Sequence, residues 1–281
     1  MNFAELKSRF ISFKKLKNGG QKMVYKGTCR DGRIVAVKII NNFNDRRILQ
    51  EIKLLKEINL KNVPKIIENG LVLDEIINEE RLYIIEEYID GISFREWLNM
   101  HNRAKLKDAY HLLNSLISIE IELEKMNIIH RDIKPDNIIL AQDGTIYLID
   151  FGLAKIRGGV SLTLTEAVQG PFTPGYAPHE QFSNDKIHQD TRTDLFQIGV
   201  TLYELCTGEN PFIEGCLTIE DIKTKTMCIK PRILELAGDT KGQLAQFIDI
   251  LMAKNPSQRP DSALEAMRYL KAIKPTLRLE V

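Results

Sequence analysis

The stretch IIHRDIKPDNIIL spans residues 128–140, and IYLIDFGLAK follows at residues 146–155. In each stretch a polar cluster lies between apolar runs that are typical of short β-strands. Asp132, Lys134, Asn137 and Asp150 are therefore expected at strand ends, where short loops hold side chains firmly and still expose them. Asn137 and Asp150 carry hard oxygen ligands of the kind that Mg²⁺ prefers, and Asp132 is suited to orient a hydroxyl and accept its proton.

Lys134 lies two residues after Asp132, where it could neutralise the charge of a transferring phosphoryl group. Taken singly, each residue of the cluster has an ordinary alternative, because Asp and Asn often cap turns and Lys is usually solvated. The joint spacing of these residue types is what favours a catalytic site.

The first ninety residues have the pattern of a small β-rich unit. VYKGTCRDGRIVAVKII, residues 24–40, contains two β-branched runs around Asp31-Gly32, which predicts a β-hairpin. The remaining predicted elements of this unit are a helix over about 44–59 and strands near 65–73 and 81–89.

The residues after about 92 have a mainly helical pattern, with apolar side chains at helical spacing. The predicted order is helical structure over 93–127, strands at 137–140 and 145–150, a loop rich in Gly, Ser and Thr over 152–175, and helices to about 273. Ser262 and Glu265 predict a capping box at the start of the last helix.

These patterns predict an α+β fold. A small β-rich N-terminal lobe with one helix is expected over about 1–88, and a larger, mainly helical lobe over about 89–281. The two lobes are expected to form a single domain over residues 1–281.

The composition argues against several classes of protein. Lys plus Arg number 39 and Asp plus Glu 38, a formal net charge of +1, which argues against a general nucleic-acid-binding coat. Four cysteines without a C-x-x-C pair argue against a disulfide framework or a zinc site. Apolar runs stop far short of the ~20 residues that span a bilayer, and the N-terminus lacks the apolar region of a signal peptide. We therefore expect a soluble, cytoplasmic protein, with no indication of its oligomeric state.

HRDIKPDN at 130–137 and DFG at 150–152 resemble the catalytic loop and the metal-binding loop of the protein kinase family. VAVK at 35–38 resembles the strand that carries the phosphate-pairing lysine, here Lys38, and Glu51 resembles its helix partner. Three further matches complete an ordered pattern that runs from about Leu16 to Tyr269: Glu180 in PHEQ, Asp194 in TDLFQIGVTLYEL and Arg259 in NPSQRP. Seven matches in one order are far more specific than any single motif.

The resemblance is to bacterial, eukaryotic-like serine/threonine kinases. It implies a bilobal kinase fold, ATP as phosphoryl donor, Mg²⁺ (or Mn²⁺ in its place) as cofactor, and protein substrates. The catalytic residues that it implies are Lys38, Glu51, Asp132 and Lys134, and the metal ligands are Asn137 and Asp150. The nucleotide-binding residues that it implies are Gly19, Gly20, Val24, Ala36, Lys38, Glu87, Ile89, Asn137, Ile139 and Asp150.

Four further residues have structural roles in the family pattern: Thr173, Glu180, Asp194 and Arg259. The resemblance implies that Thr173 bonds both Asp132 and Lys134. It also implies a buried ion pair between Glu180 and Arg259.

KNGGQKMV, residues 17–24, departs from the glycine-rich loop of the family, because Lys17 and Lys22 stand where glycines are usual. Gly19 and Gly20 retain one close backbone approach, where amide N–H groups can meet phosphate oxygens. The two lysines either add positive charge against the nucleotide or point to water.

Two carboxylates near the expected nucleotide site need partners. Glu51 lies on the apolar face of its predicted helix, so Lys38 is the expected partner, and a solvated Glu51 at the edge of that face is the alternative. Glu86 falls at the rear of the adenine pocket, where the family usually has an apolar residue. A carboxylate there requires a polar partner or water, and an alignment displaced by one residue is the alternative.

The expected acceptor is serine or threonine, because Lys134 follows the pattern of the serine/threonine branch of the family and FTPGY at 172–176 resembles the substrate-docking segment of that branch. Arg131 precedes Asp132, as in kinases that use a phosphorylated loop to neutralise this arginine. Autophosphorylation is therefore expected in GVSLTLTEA at 159–167, whose candidate sites are Ser161, Thr163 and Thr165. Ordinary solvated hydroxyls are the alternative for each of the three.

Two other functions compete with an active protein kinase. Small-molecule phosphotransferases of related fold generally lack the docking segment and the Glu180–Arg259 pair. A pseudokinase would bind nucleotide or act as a scaffold without turnover, but pseudokinases usually lack at least one of the catalytic residues present here. The segment 213–239 is the least family-like, and it holds either partner specificity or ordinary helical packing.

Overall fold

The computed structural model describes residues 1–18, 22–40, 52, 56, 60–151, 154–156, 172–183, 185 and 189–279. The chain divides into two compact units, Met1–Asp90 and Gly91–Val281. Within the described ranges, no helix combines the length and the hydropathy that a membrane crossing requires. That residues 1–281 act as one domain stays a prediction.

Among its described residues, the first unit has a short helix and a five-stranded antiparallel sheet. The elements are α1 (Phe3–Ser8), β1 (Phe10–Asn18), β2 (Lys22–Cys29), β3 (Ile34–Ile40), β4 (Ile66–Asp74) and β5 (Glu79–Glu87), with the strand order β1-β2-β3-β5-β4. The predicted hairpin is confirmed, because β2 and β3 pair antiparallel across the turn at Asp31-Gly32. Gly32 has a φ of +86°, a left-handed conformation that glycine adopts without steric strain.

One face of this sheet packs into the core of the first unit, and the other face carries Lys38 and Glu86. One face packs into a hydrophobic core whose buried members are Leu6, Tyr25, Val35, Val37, Ile39, Val72, Tyr83 and Ile85. Ala36 and Lys38 alternate with the core residues of β3 and therefore lie on the opposite face. Val24 is the cross-strand partner of Lys38, and Glu86 is the partner of Ala36. Because cross-strand partners share a face, these four side chains lie together on the face away from that core.

The second unit is mainly helical. Its described elements are β6 (Gly91–Ser93), α2 (Phe94–His101), α3 (Leu106–Lys125), β7 (Ile128–Ile129), β8 (Ile138–Ala141), β9 (Ile146–Leu148), β10 (Lys155–Ile156), α4 (His179–Phe182), α5 (Thr191–Thr207), α6 (Ile219–Cys228), α7 (Gln243–Leu251) and α8 (Ala263–Ile273). Strands β6, β8 and β9 form one small sheet, and β7 pairs with β10. Helix α5 is buried along most of its length and packs against α3 and α7. A β-rich first unit followed by a helical second unit confirms the predicted α+β fold class.

The predicted capping box of the last helix is only half formed. Ser262 accepts a hydrogen bond from the Glu265 N–H at 3.1 Å, as predicted. The other half of the prediction, a hydrogen bond from the Ser262 N–H to the Glu265 carboxylate, is wrong. The Glu265 carboxylate accepts from the Asp261 N–H at 2.6 Å instead. The carboxylate thus satisfies a backbone donor one residue before the cap, and the helix still begins at Ala263.

Two further sequence predictions concern element boundaries. The predicted helix over 44–59 lies outside the described residues apart from Ile52 and Lys56, where the Lys56 N–H donates to the Ile52 carbonyl at helical spacing. The strand predicted from 137 begins at Ile138, because Pro135–Asn137 form a 3₁₀ turn.

Candidate active site

Asp132 is the centre of a dense hydrogen-bond cluster in the second unit. Its carboxylate accepts from Lys134 Nζ at 2.9 Å to each oxygen, and from the Thr173 hydroxyl at 2.5 Å. Lys134 Nζ also donates to Thr173 Oγ1 at 2.8 Å. These are the contacts that the sequence predicts for Thr173, and they fix the rotamer of a carboxylate that is almost fully buried.

Asn137 is held against Asp132 by both hydrogens of its amide nitrogen. Asn137 Nδ2 donates to the Asp132 backbone carbonyl at 2.8 Å and to the Asp132 carboxylate at 2.7 Å. The amide oxygen is therefore the atom of Asn137 that suits a cation. The Ile149 N–H donates to the Asn137 carbonyl at 2.9 Å, which brings the residue before Asp150 alongside Asn137.

The donor set at this point fits a hard divalent cation. Asn137 and Asp150 offer an amide oxygen and a carboxylate, the ligand types that Mg²⁺ takes when phosphate and water complete its shell. Among the described residues, no group of three or more His, Cys, Asp or Glu side chains is placed to hold a metal by itself. A cation bound by Asn137 and Asp150 would complete its shell with water and phosphate oxygens.

Two non-glycine residues of the site have left-handed backbones. Five described residues other than glycine have positive φ, of which three are asparagines; the other two are Arg131, at +65°, and Asp150, at +73°. Such conformations cost about 1–3 kcal/mol each and cluster at functional sites.

His130 links the loop of Asp132 to the loop of Asp150. Its Nδ1 accepts from the Asp132 N–H, which leaves Nε2 to donate to the Ile149 carbonyl, both at 3.2 Å. Burial lowers the pKa of His130 to about 4, so the ring is neutral at physiological pH. The ring also makes a T-shaped contact with the Phe151 ring, with centroids 4.6 Å apart. This bridging role was missed at the sequence level.

Asp194, in the first turn of α5, holds the strained backbone in place. Its two carboxylate oxygens accept from the N–H groups of His130, at 2.6 Å, and Arg131, at 2.7 Å. The Arg131 carbonyl accepts from the side-chain amides of Gln181, at 2.7 Å, and Gln197, at 2.9 Å. Neither glutamine was predicted. Gln197 lies three residues after Asp194 and therefore on the same side of α5, which is the signal that could have indicated it.

The predicted Glu180–Arg259 ion pair is present and buried. Arg259 Nη1 lies 2.5 Å from Glu180 Oε1, and Nη2 lies 3.4 Å from Oε2, so one of the two bonds is short and the other is long. The guanidinium also donates to the backbone carbonyls of Arg192, Ala253 and Lys254. The pair therefore ties α4 to the start of α5 and to the turn that follows α7.

A second polar network lies under the 172–176 segment, and the sequence did not reveal it. Arg95 donates to Glu204 and to the Tyr176 hydroxyl, each at 2.7 Å, and to Asp136 at 3.2 Å. The Tyr176 hydroxyl donates to Glu204. Burial raises the pKa of Tyr176, so the hydroxyl stays protonated and committed to this network.

In the first unit, Lys38 pairs with Glu86. Lys38 Nζ lies 2.5 Å from Glu86 Oε1, and both side chains are about nine-tenths buried. This contact supplies the polar partner that Glu86 was predicted to need. Glu51 lies outside the described residues, so its pairing with Lys38 stays a prediction.

Val24, Ala36, Glu87 and Ile139 are further residues of the predicted nucleotide site, and each lies in a described strand. Val24 and Ala36 share the sheet face of Lys38. The Glu87 N–H donates to the Lys65 carbonyl at 2.9 Å. In the second unit, Ile139 pairs with Tyr147 in the sheet of β8 and β9. Gly19, Gly20, Ser161, Thr163 and Thr165 lie outside the described residues.

A family model described as "Protein kinase domain" matches residues 10–270, and the chain therefore belongs to the protein kinase domain family. Members of this family generally use ATP and a divalent metal ion. Among curated relatives, the probable serine/threonine-protein kinase CPE1738 of Clostridium perfringens is 31% identical over 281 residues, covering 96% of this chain and 39% of the relative.

Two other relatives give the same indication. Serine/threonine-protein kinase PknL of Mycobacterium tuberculosis is 27% identical over 281 residues, and the match covers 98% of this chain and 68% of the length of PknL. The probable serine/threonine-protein kinase PknB of Lactococcus lactis is 30% identical over 212 residues, and the match covers 73% of this chain and 32% of the length of that kinase. The chain spans only about a third of the length of the first curated relatives that it matches.

Proposed function

We propose that this chain is a serine/threonine protein kinase that uses ATP and Mg²⁺ to phosphorylate protein hydroxyls, with residues 1–281 acting as one domain. The observation that carries the proposal is the Asp132 carboxylate, which Lys134, Thr173 and Asn137 contact at once. The partners are protein substrates rather than nucleic acids. A cytoplasmic location stays an expectation that rests on the cysteine pattern of the sequence.

In the proposed reaction, Asp132 orients the acceptor hydroxyl and takes its proton as the new O–P bond forms. The bond between the γ-phosphorus and the β,γ-bridging oxygen of ATP breaks, and ADP leaves. Lys134 neutralises charge on the phosphoryl group while Thr173 keeps the carboxylate in position. Bound Mg²⁺, or Mn²⁺ in its place, would be held by Asn137 and Asp150 and would neutralise phosphate charge.

In the first unit, Lys38 is the proposed partner of the α- and β-phosphates. Gly19 and Gly20 are assigned to the phosphate-facing backbone, and Glu51 is assigned as the helix partner of Lys38. Val24, Ala36 and Ile139 are assigned to the apolar contacts of the base. The backbone groups of Glu87 and Ile89 are assigned to the adenine. The position of Val24, Ala36 and Lys38 on one sheet face supports the part of this set that the structure describes.

Thr173→Ala is expected to lower kcat by about 10- to 100-fold, because two hydrogen bonds to charged side chains are lost. Thr173→Ser keeps the hydroxyl and is expected to stay within about threefold of the unsubstituted chain on the same grounds. Steady-state transfer to a serine-containing protein substrate measures both variants. Equal activity of the alanine and serine variants would show that Thr173 does not position Asp132.

Glu86→Gln is expected to tighten ATP binding about three- to tenfold and to leave adenosine binding unchanged, since it removes a negative charge beside the lysine that meets the phosphates. Calorimetric titration with ATP and with adenosine measures the two effects separately. Glu80→Gln, at an exposed position of the same strand, is the matched control. An equal change for both ligands would mean that Glu86 acts on the base and not through Lys38.

The proposal includes autophosphorylation of the 159–167 segment at Ser161, Thr163 or Thr165. Arg131 would bind the added phosphate, since a guanidinium is a bidentate partner for phosphate. Its Nη1 donates to Gln189 Oε1 at 3.3 Å, a long bond that a phosphate can replace. Intact-mass analysis after incubation with ATP and Mg²⁺ should show added phosphates. A fully active but unmodified enzyme would refute the loop assignment alone.

A further inference from the structure

Helix α3 carries a carboxyl group within its buried stripe. Glu120 lies between Leu116 and Leu123 on that stripe, and all three side chains have at most 1% of their surface exposed. An ionised carboxylate in such surroundings is costly unless it is paired. Glu120 has no part in the proposed reaction, and the resemblance to kinases assigns it no role.

The two oxygens of Glu120 have different surroundings. Oε1 accepts from the Thr191 hydroxyl at 2.8 Å. Oε2 is buried and has no hydrogen-bond donor among the described residues. The neighbouring polar group is the carboxyl of Asp194, which is also fully buried and whose negative charge disfavours the ionised form of Glu120. A carboxyl oxygen without a donor, beside a second carboxyl, is satisfied if it carries a proton itself.

The proton belongs on Glu120 rather than on Asp194. Both oxygens of Asp194 already accept backbone N–H groups, from His130 and Arg131, which stabilise its ionised form. Two adjacent buried carboxylates cannot both ionise cheaply, so one proton is retained by the pair. Burial and the charge of Asp194 raise the pKa of Glu120 well above its ordinary value of 4.5.

The other charged and titratable groups around the pair do not reverse this assignment. Arg131 favours the ionised form of Asp194, whereas Asp190, before α5, disfavours it. Glu124, one turn along α3, adds a further negative charge that favours a protonated Glu120. His130 is held neutral by its burial and adds no charge to balance a second carboxylate.

We propose that Glu120 is a positioning residue whose carboxylic acid donates a hydrogen bond to Asp194 and so helps to hold the His130–Arg131 backbone beside Asp132. The chain of contacts runs from α3 to α5 and from there to the catalytic loop, entirely within the second unit. Its effect on catalysis rests on the proposed kinase function, whereas the protonation of Glu120 does not.

Glu120→Gln and Glu120→Met separate the proton donor from the packing. Glutamine keeps an N–H donor toward Asp194 and an acceptor for Thr191, so kcat is expected within about twofold of the unsubstituted chain. Methionine has similar length without a donor, and kcat is expected to fall about three- to tenfold at unchanged KM for ATP. Equal kcat values for the two variants would overturn the positioning role.

The pH dependence of melting tests the proton itself. A carboxyl with a raised pKa holds its proton in the folded chain after the unfolded chain has lost it, so rising pH above 4.5 lowers the stability of the unsubstituted chain. Glu120→Gln has no carboxyl proton to lose at this position. The difference in Tm between this variant and the unsubstituted chain should therefore grow in favour of the variant between about pH 5 and about pH 8.

Glu122→Gln, at an exposed site on the same helix, is the control and should show no such growth. A Tm difference for Glu120→Gln that is constant with pH would overturn the proposal. Absence of phosphoryl transfer in every variant would instead refute the proposed function, and the melting result would still decide the protonation.

Discussion

Asp132→Asn is expected to lower kcat by about 10²–10⁴-fold, the range that a positioned general base contributes. The asparagine has one acceptor oxygen where the carboxylate has two. In the structure those two oxygens serve Lys134, Thr173 and Asn137, so the amide nitrogen of the variant must face another donor. The variant thus loses both the proton acceptor and the arrangement that orients the hydroxyl.

Single-turnover transfer with saturating ATP and Mg²⁺ measures this loss without interference from product release. Asp143→Asn, an aspartate in the exposed turn after β8, is the matched control and should keep its activity. ATP affinity should be similar in both variants, because Asp132 is assigned to the acceptor hydroxyl. Retention of more than about a tenth of kcat by Asp132→Asn would exclude the assigned role.

Arg259→Ala is expected to destabilise the second unit by about 3–5 kcal/mol, because it leaves the Glu180 carboxylate buried without its partner. The side chains of Arg259 and Glu180 are 0% and 4% exposed, so solvent cannot replace the lost guanidinium. Three backbone carbonyls also lose their donor. The melting temperature should fall by roughly 10 °C, and activity should fall with it.

Thermal and urea unfolding, followed by circular dichroism, measure the change. Lys125→Ala is the control, because it removes an exposed ion pair with Glu122 in the same unit and should cost less than about 0.5 kcal/mol. An Arg259→Ala variant with the same melting temperature as the Lys125→Ala variant would show that the buried pair does not stabilise the packing of α4 against α5 and the turn after α7.

The β2–β3 hairpin and the catalytic loop could be predicted from the sequence, because residues close together in the chain determine each of them. Asp31-Gly32 between two β-branched runs specifies its hairpin, because the left-handed turn requires glycine and the runs require strands. The catalytic cluster could be predicted equally well, since Asp132, Lys134 and Asn137 lie within six residues of one short loop and contact one another there.

Contacts that long-range packing creates were harder to predict. Gln181 and Gln197 reach the Arg131 carbonyl only because α4 and α5 pack beside the catalytic loop. Glu120 was missed because a glutamate in a helical sequence is ordinarily solvated, and only the position of α5 buries it.

The partner of Glu86 is an intermediate case. The sequence indicated that a carboxylate at this position needs a polar contact. The register of β3 and β5, which sets Ala36 opposite Glu86 and so brings Lys38 onto the same face, was needed to identify that contact.

Incubation of the purified chain with γ-labelled ATP and Mg²⁺, followed by phosphoamino-acid analysis, tests the proposed activity most directly. We expect label on serine or threonine, with fragments placing it among Ser161, Thr163 and Thr165. No label is expected on Asp132→Asn produced in a host without similar kinases. Label on tyrosine alone, or no label on a folded chain that binds ATP, would contradict a serine/threonine protein kinase.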